Sequence, residues 1–69
     1  GENSSLTYFY RGYLKYKLNK DYYGAVKDYD KGLSLDPNDK NLHYYRGVAY
    51  TFLNDSSESC LSFHKAKNL

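Results

Sequence analysis

The chain has 69 residues, a formal net charge of +2 from 10 basic and 8 acidic side chains, and 1 cysteine. That is one small domain, close to the lower limit at which an apolar core alone holds a fold. Near-balanced, dispersed charge argues against a binder of phosphate backbones, which would gather its bases on one face. A lone Cys60 excludes an internal disulfide and fits a reducing compartment, cytoplasmic in the simplest reading. No apolar run approaches the ~20 residues of a membrane span, and no signal-peptide pattern is present. The 10 tyrosines and 3 phenylalanines compensate for the short length, because each ring can bury roughly 150–250 Å².

Residues 1–5 read as a linker or cloning scar, leaving 6–69 as the domain. Leu6, Tyr10, Leu14 and Leu18 recur every four residues, with Tyr13 widening the stripe, which predicts a first helix. Ser4 or Ser5 can cap its start. Asn19-Lys20 breaks the pattern and Asp21 is a good cap for a second helix, whose Tyr22, Ala25, Val26, Tyr29 and Leu33 share a face. Gly24 and Gly32 each cost about 1 kcal/mol against alanine in a helix. At Gly32 the spacing predicts close approach by a neighbouring helix. Leu35-Asp36-Pro37-Asn38-Asp39 is the strongest stop, since proline lacks an N–H and disfavours helix in the residue before it.

Asp39 then caps a third helix with Leu42, Tyr45, Ala49, Phe52 and Leu53 inward. Asp55 and Glu58 have the spacing of a capping box and open a fourth, with Cys60, Phe63, Ala66 and Leu69 inward. Turns this short make consecutive helices antiparallel neighbours. No strand pattern competes, so the fold class is all-α.

The second half rewrites the first. Tyr10-Arg11-Gly12 returns as Tyr45-Arg46-Gly47 and Leu18-Asn19 as Leu53-Asn54, at an offset of 35. Then Asp21 matches Asp55, Tyr29 matches Phe63 and Lys31 matches Lys65, at an offset of 34. One extra residue, assigned to Lys20, explains the slip, because insertions survive best in turns. Such a period means one helical hairpin written twice, about 6–39 and about 40–69.

These residues resemble the tetratricopeptide repeat (TPR) family. The first hairpin carries the likeness in Tyr8, Gly12, Leu18, Asp21-Tyr22, Ala25, Tyr29 and Asp36-Pro37. The second carries it in Gly47, Ala49-Tyr50, Asn54-Asp55, Phe63 and Ala66. Ser56 and Ser59 depart from the family's aromatic and alanine, and Arg11 and Arg46 stand where it is usually apolar, as in an Arg-Gly variant. A buried arginine needs a partner, and Asp28 is the expected one for Arg11, whereas Ser62 offers Arg46 no charge. The resemblance implies two antiparallel hairpins stacked as a short right-handed α-solenoid.

It further implies a concave groove lined by the first helix of each hairpin. The groove residues would be Phe9, Tyr13, Tyr16 and Lys17 from one, and Asn41, Tyr44, Val48 and Thr51 from the other; Phe52 belongs either there or in the core. Phe9 and Tyr13 are not the cationic residues with which some family members clamp a terminal carboxylate, so an uncharged or aromatic-containing protein segment is the expected ligand. Self-association through open repeat ends, and an architectural spacer, are the alternatives. A helical-repeat RNA binder is a further class, against which stand the spacing of 34, Asp36-Pro37 and the weak basic charge; the expectation is no nucleic acid and no membrane. Cys60 and His64 lie four apart on one helix, but a zinc site needs three or four ligands, and Cys–His catalysis needs an orienting group. The sequence therefore points to no catalytic residue, metal or cofactor.

Overall fold

The computed structural model describes residues 4–68, which form four helices and, among those residues, no strand. The helices are α1 (Ser5–Leu18), α2 (Tyr22–Leu35), α3 (Lys40–Phe52) and α4 (Ser56–Asn68). Each starts on a side chain that accepts orphan backbone N–H groups. Ser4 takes Thr7 N–H, Asp21 takes Gly24 N–H, Asp39 takes those of Asn41 and Leu42, and Asp55 takes Glu58 N–H. Ser4 is thus the cap of α1 and Ser5 its first residue; the rest of the leading stretch, and Leu69, lie outside the described residues.

Lys20 and Asn54 occupy equivalent left-handed positions, at φ 53° and 62°, each just before a capping aspartate. The two turns therefore have equal length, and Lys20 is not the extra residue. The slip is absorbed in α1, which has 14 residues against 13 in α3. A helix takes one more residue at its end without disturbing its face, whereas the capped turn has a fixed geometry.

Ser5 lies by Gly32, Gly12 by Tyr29 and Tyr16 by Tyr22, so α1 and α2 run in opposite directions. Gly47 against Phe63 and Thr51 against Ser59 pair α3 with α4 the same way. Between hairpins, Leu42 sits on Gly32 and Phe52 stacks on Tyr22, which makes α2 and α3 antiparallel as well. Phe9–Tyr45 and Tyr16–Phe52 then leave α1 parallel to α3.

The result is a slab of 33 × 29 × 13 Å. Its thinness explains a small core: Ala25, Val26, Tyr29, Leu42 and Ala49 form one buried cluster, with Tyr22, Tyr45 and Tyr50 packed partly buried against it. Gly12 and Gly47 do the same job in the two hairpins. A Cβ on Gly12 would lie 2.7 Å from Tyr29 Cε1, and one on Gly47 would lie 2.9 Å from Phe63 Cε1, so each glycine is the seat of an aromatic ring.

Three expected faces come out differently. The Leu6, Tyr10, Leu14 and Leu18 stripe is exposed, because α1 turns Phe9, Gly12, Tyr13 and Tyr16 toward α2 and α3 instead. Cys60, predicted to point inward, is exposed. Its counterpart Val26 is buried beneath α3, and no described helix covers Cys60 in that way. Phe52 and Leu53 are likewise exposed at the slab's edge, although Phe52 keeps its stack on Tyr22.

Candidate functional site

Rings from three helices meet between α1 and α3. Phe9 and Tyr13 stack at 6.2 Å, Tyr13 and Tyr16 follow at 6.1 Å, and both Phe9 and Tyr13 meet Tyr45 edge-on, at 5.2 and 5.6 Å. Tyr45 in turn meets Tyr44 at 5.3 Å, and Tyr44 meets Phe63 at 5.5 Å. Tilted and edge-on rings at these distances attract beyond their area burial. Of the expected groove residues, Phe9, Tyr13 and Tyr16 are therefore linked to Tyr44 through Tyr45, a residue expected in the core, whereas Lys17, Asn41, Val48 and Thr51 are not part of this run of rings.

Their surroundings differ. Phe9, Tyr13 and Tyr16 are half-buried and spend part of their surface against α3; Val48 is also half-buried. Lys17, Asn41 and Thr51 are exposed, and Tyr44 shows 50% of its surface. The Thr51 hydroxyl donates to the Gly47 carbonyl and shares a 2.7 Å hydrogen bond with Ser59, so its orientation is preset.

Beside this region lie two adjoining clefts, of about 630 Å³ and 440 Å³, on the outer side of the second hairpin. Phe63 and Lys67 line both; Ser56, Cys60 and His64 line the larger, and Lys40, Tyr44 and Ala66 the smaller. Of the residues expected to line the groove, Thr51 borders the larger cleft and Asn41 and Tyr44 the smaller; the α4 side of both clefts was not expected to meet a ligand. The signal was in the repeat itself: Tyr22, Val26 and Leu33 become Ser56, Cys60 and Lys67, so bulk is replaced by small or charged groups.

The charged network also departs from expectation. Asp28 pairs with Lys15 at 3.0 Å, one helical turn from Arg11, and Arg11 instead lies exposed over the Tyr8 ring at 5.7 Å. Arg46, expected to find no charge, reaches back to Asp30 on α2 and forward to Glu58 on α4, donates to Ser62 Oγ at 2.7 Å, and covers the Tyr50 ring at 4.8 Å. Glu58 consequently serves Arg46 rather than closing a capping box, since Asp55 N–H donates to the Tyr50 carbonyl. Burial alone would lower the Arg46 pKa, but the hydrogen bond and charge of Asp30, with Tyr50 and Glu58, outweigh it and the net direction is upward. Two partners were missed: Glu58, which the capping-box spacing assigned to the helix start, and Asp30, which belongs to the preceding hairpin and cannot be found by reasoning within one repeat.

His43 is buried and its Nε2 donates to the Pro37 carbonyl at 2.8 Å, locking the turn between the hairpins. Among the described residues no group of three or more His, Cys, Asp or Glu could hold a metal ion, and no helix is long and apolar enough to cross a membrane. No family model matches this chain, and neither the curated proteins nor the solved structures contain a match to it.

Proposed function

We propose that this chain is a non-catalytic protein–protein interaction module of the tetratricopeptide kind, two hairpins stacked as a short right-handed solenoid. A partner segment lies along α1 and α3, over Phe9, Tyr13, Tyr16 and Lys17 and then Asn41, Tyr44, Val48 and Thr51. The observation that carries this reading is the parallel placement of α1 and α3 with Tyr44 half-exposed on a ring scaffold. A tyrosine held in this way offers contact area with little entropy left to lose, and aromatic residues are favoured at interfaces. The polar edges of Asn41 and Thr51 beside it supply hydrogen bonds that select a sequence.

Display of a random peptide library against the chain tests this. Selected peptides should lose about tenfold or more in affinity on Tyr44→Ala, with helicity by circular dichroism unchanged. Peptides indifferent to Tyr44, Asn41 and Thr51 together would move the function elsewhere. A second reading, architectural self-association, is favoured by the exposed Leu6, Tyr10, Leu14 and Leu18 stripe, because contiguous apolar surface marks an interface. Sedimentation showing a dimer abolished by Leu14→Glu would support it.

A further inference from the structure

Four contacts seat α3 on α2. Leu42 lies over Gly32, Tyr45 faces Tyr29 at 6.4 Å, Arg46 pairs with Asp30, and Phe52 stacks on Tyr22 at 4.6 Å. At an offset of 34 the counterparts of Gly32, Tyr29, Asp30 and Tyr22 are Ala66, Phe63, His64 and Ser56. All four line the two clefts on the second hairpin. The open face thus repeats, on the second hairpin, the seat that α3 occupies on the first, and none of the described helices lies over it.

The seat is not the same in chemistry. Ser56 and Cys60 replace Tyr22 and Val26, which deepens one end into the 630 Å³ cleft. His64 and Lys67 replace Asp30 and Leu33, Lys40 stands at the rim, and no Asp or Glu lines either cleft. A helix like α3 would bring an arginine against these groups. A second copy offering α1 would bring Arg11, which holds the place of Arg46, and Lys17, which holds that of Phe52. Like charges across an interface suppress wrong partners, so the rim selects against both.

We propose that the outer face of the second hairpin docks an acidic amphipathic helix in the register of α3. The helix places a leucine over Ala66, a bulky apolar residue toward Ser56 and Cys60, and a carboxylate opposite His64 and Lys67. This rests on the equivalence of the hairpins and goes beyond the groove, with which the clefts share Asn41, Tyr44 and Thr51.

Cys60, the chain's single cysteine and an exposed one, reports occupancy of the cleft without a partner being known. The probe is a lactam-bridged peptide with the α3 sequence, residues 40–52, carrying Arg46→Glu; its control keeps the arginine. The acidic peptide should slow alkylation of Cys60 in a saturable way and bind about three- to tenfold more tightly than the control, the range expected for partly exposed charge contacts. In the His64→Asp variant of the chain, or in Lys67→Glu should the first lose helicity, the preference should shrink or reverse. Unaltered Cys60 reactivity with the peptide in excess, or equal binding of the two peptides, would overturn the proposal. So would protection of Cys60 in the chain alone that grows with its concentration, which would make a second copy the occupant. A library-selected peptide that needs Tyr44 but leaves Cys60 reactive would uphold the groove and reject the cleft.

Discussion

The two hairpins share a plan and differ in what lies on them. In the first, Tyr29 presses on Gly12 and is itself sealed beneath α3, with 0% exposure. In the second, Phe63 presses on Gly47 in the same way but borders an open cleft. Where a helix covers the face the residues are Tyr22, Ala25 and Val26; where none of the described helices does they are Ser56, Ser59 and Cys60. Ser59 is buried nonetheless, and its hydroxyl is satisfied by Thr51. The same backbone arrangement therefore tolerates polar substitution once the neighbouring helix is gone, because a small hydroxyl can bond locally or meet water.

The largest break in this comparison comes from the docking residue. Leu42→Ala should lose about 2–5 kcal/mol, the range for a leucine emptied from a closed core. A domain of this size holds only ~3–5 kcal/mol in total, so urea titration followed by circular dichroism should find most molecules unfolded. Phe63→Ala, at the open edge, should lose about 1–2 kcal/mol. Equal losses would mean that the second hairpin is covered as well as the first.

Gly12→Ala and Gly47→Ala sharpen the contrast. At Gly12 the new methyl meets both Tyr29 and, at 3.0 Å, the Ala25 carbonyl, and neither can withdraw. Overpacking of about 1–3 kcal/mol should exceed the gain of about 1 kcal/mol in helix propensity. At Gly47 the three nearest atoms all belong to the Phe63 ring, which can tilt into the cleft. Thermal denaturation should therefore show Gly12→Ala clearly lowered and Gly47→Ala close to the parent.

Arg46→Ala should lose about 1–2 kcal/mol, because it strips partners from Asp30, Glu58 and the buried Ser62 hydroxyl, in a setting still partly open to water. Arg11→Ala, which loses only a ring contact, should stay within about 0.5 kcal/mol. One change should bring a gain. The Tyr29 hydroxyl is buried without a hydrogen-bond partner, so Tyr29→Phe, which copies Phe63, should stabilise by about 1 kcal/mol. Burial, then Tyr45, Tyr16, Tyr13 and Asp28, push the Tyr29 phenol well above its ordinary range. The folded state then holds that proton more tightly than the unfolded state. Stability is intact below about pH 10 and falls as the pH rises above it. Tyr29→Phe should flatten that fall in a melting series from neutral to alkaline pH, leaving the smaller share of Tyr50, which burial also raises.

Four helices, their caps and the hairpin period were legible because they depend on neighbours within a few residues. Ser4, Asp21, Asp39 and Asp55 each cap a helix as their position before an apolar run predicts. The site was less legible. Lys17, Asn41 and Tyr44 are exposed as a groove requires, but Phe9, Tyr13 and Tyr16 are shared with the packing of α3. A ring's periodicity says which way it faces and not what it meets.

Helix count, capping and the antiparallel run of each hairpin were thus written locally, in side chains that satisfy backbone groups a turn away. Which apolar stripe is covered, whether Cys60 is open and which carboxylates find Arg46 were settled by the slab. Equivalent positions such as Val26 and Cys60 have the same local geometry and differ only in whether another helix lies over them. That is a contact between residues far apart in the chain, which no periodicity within one helix can contain.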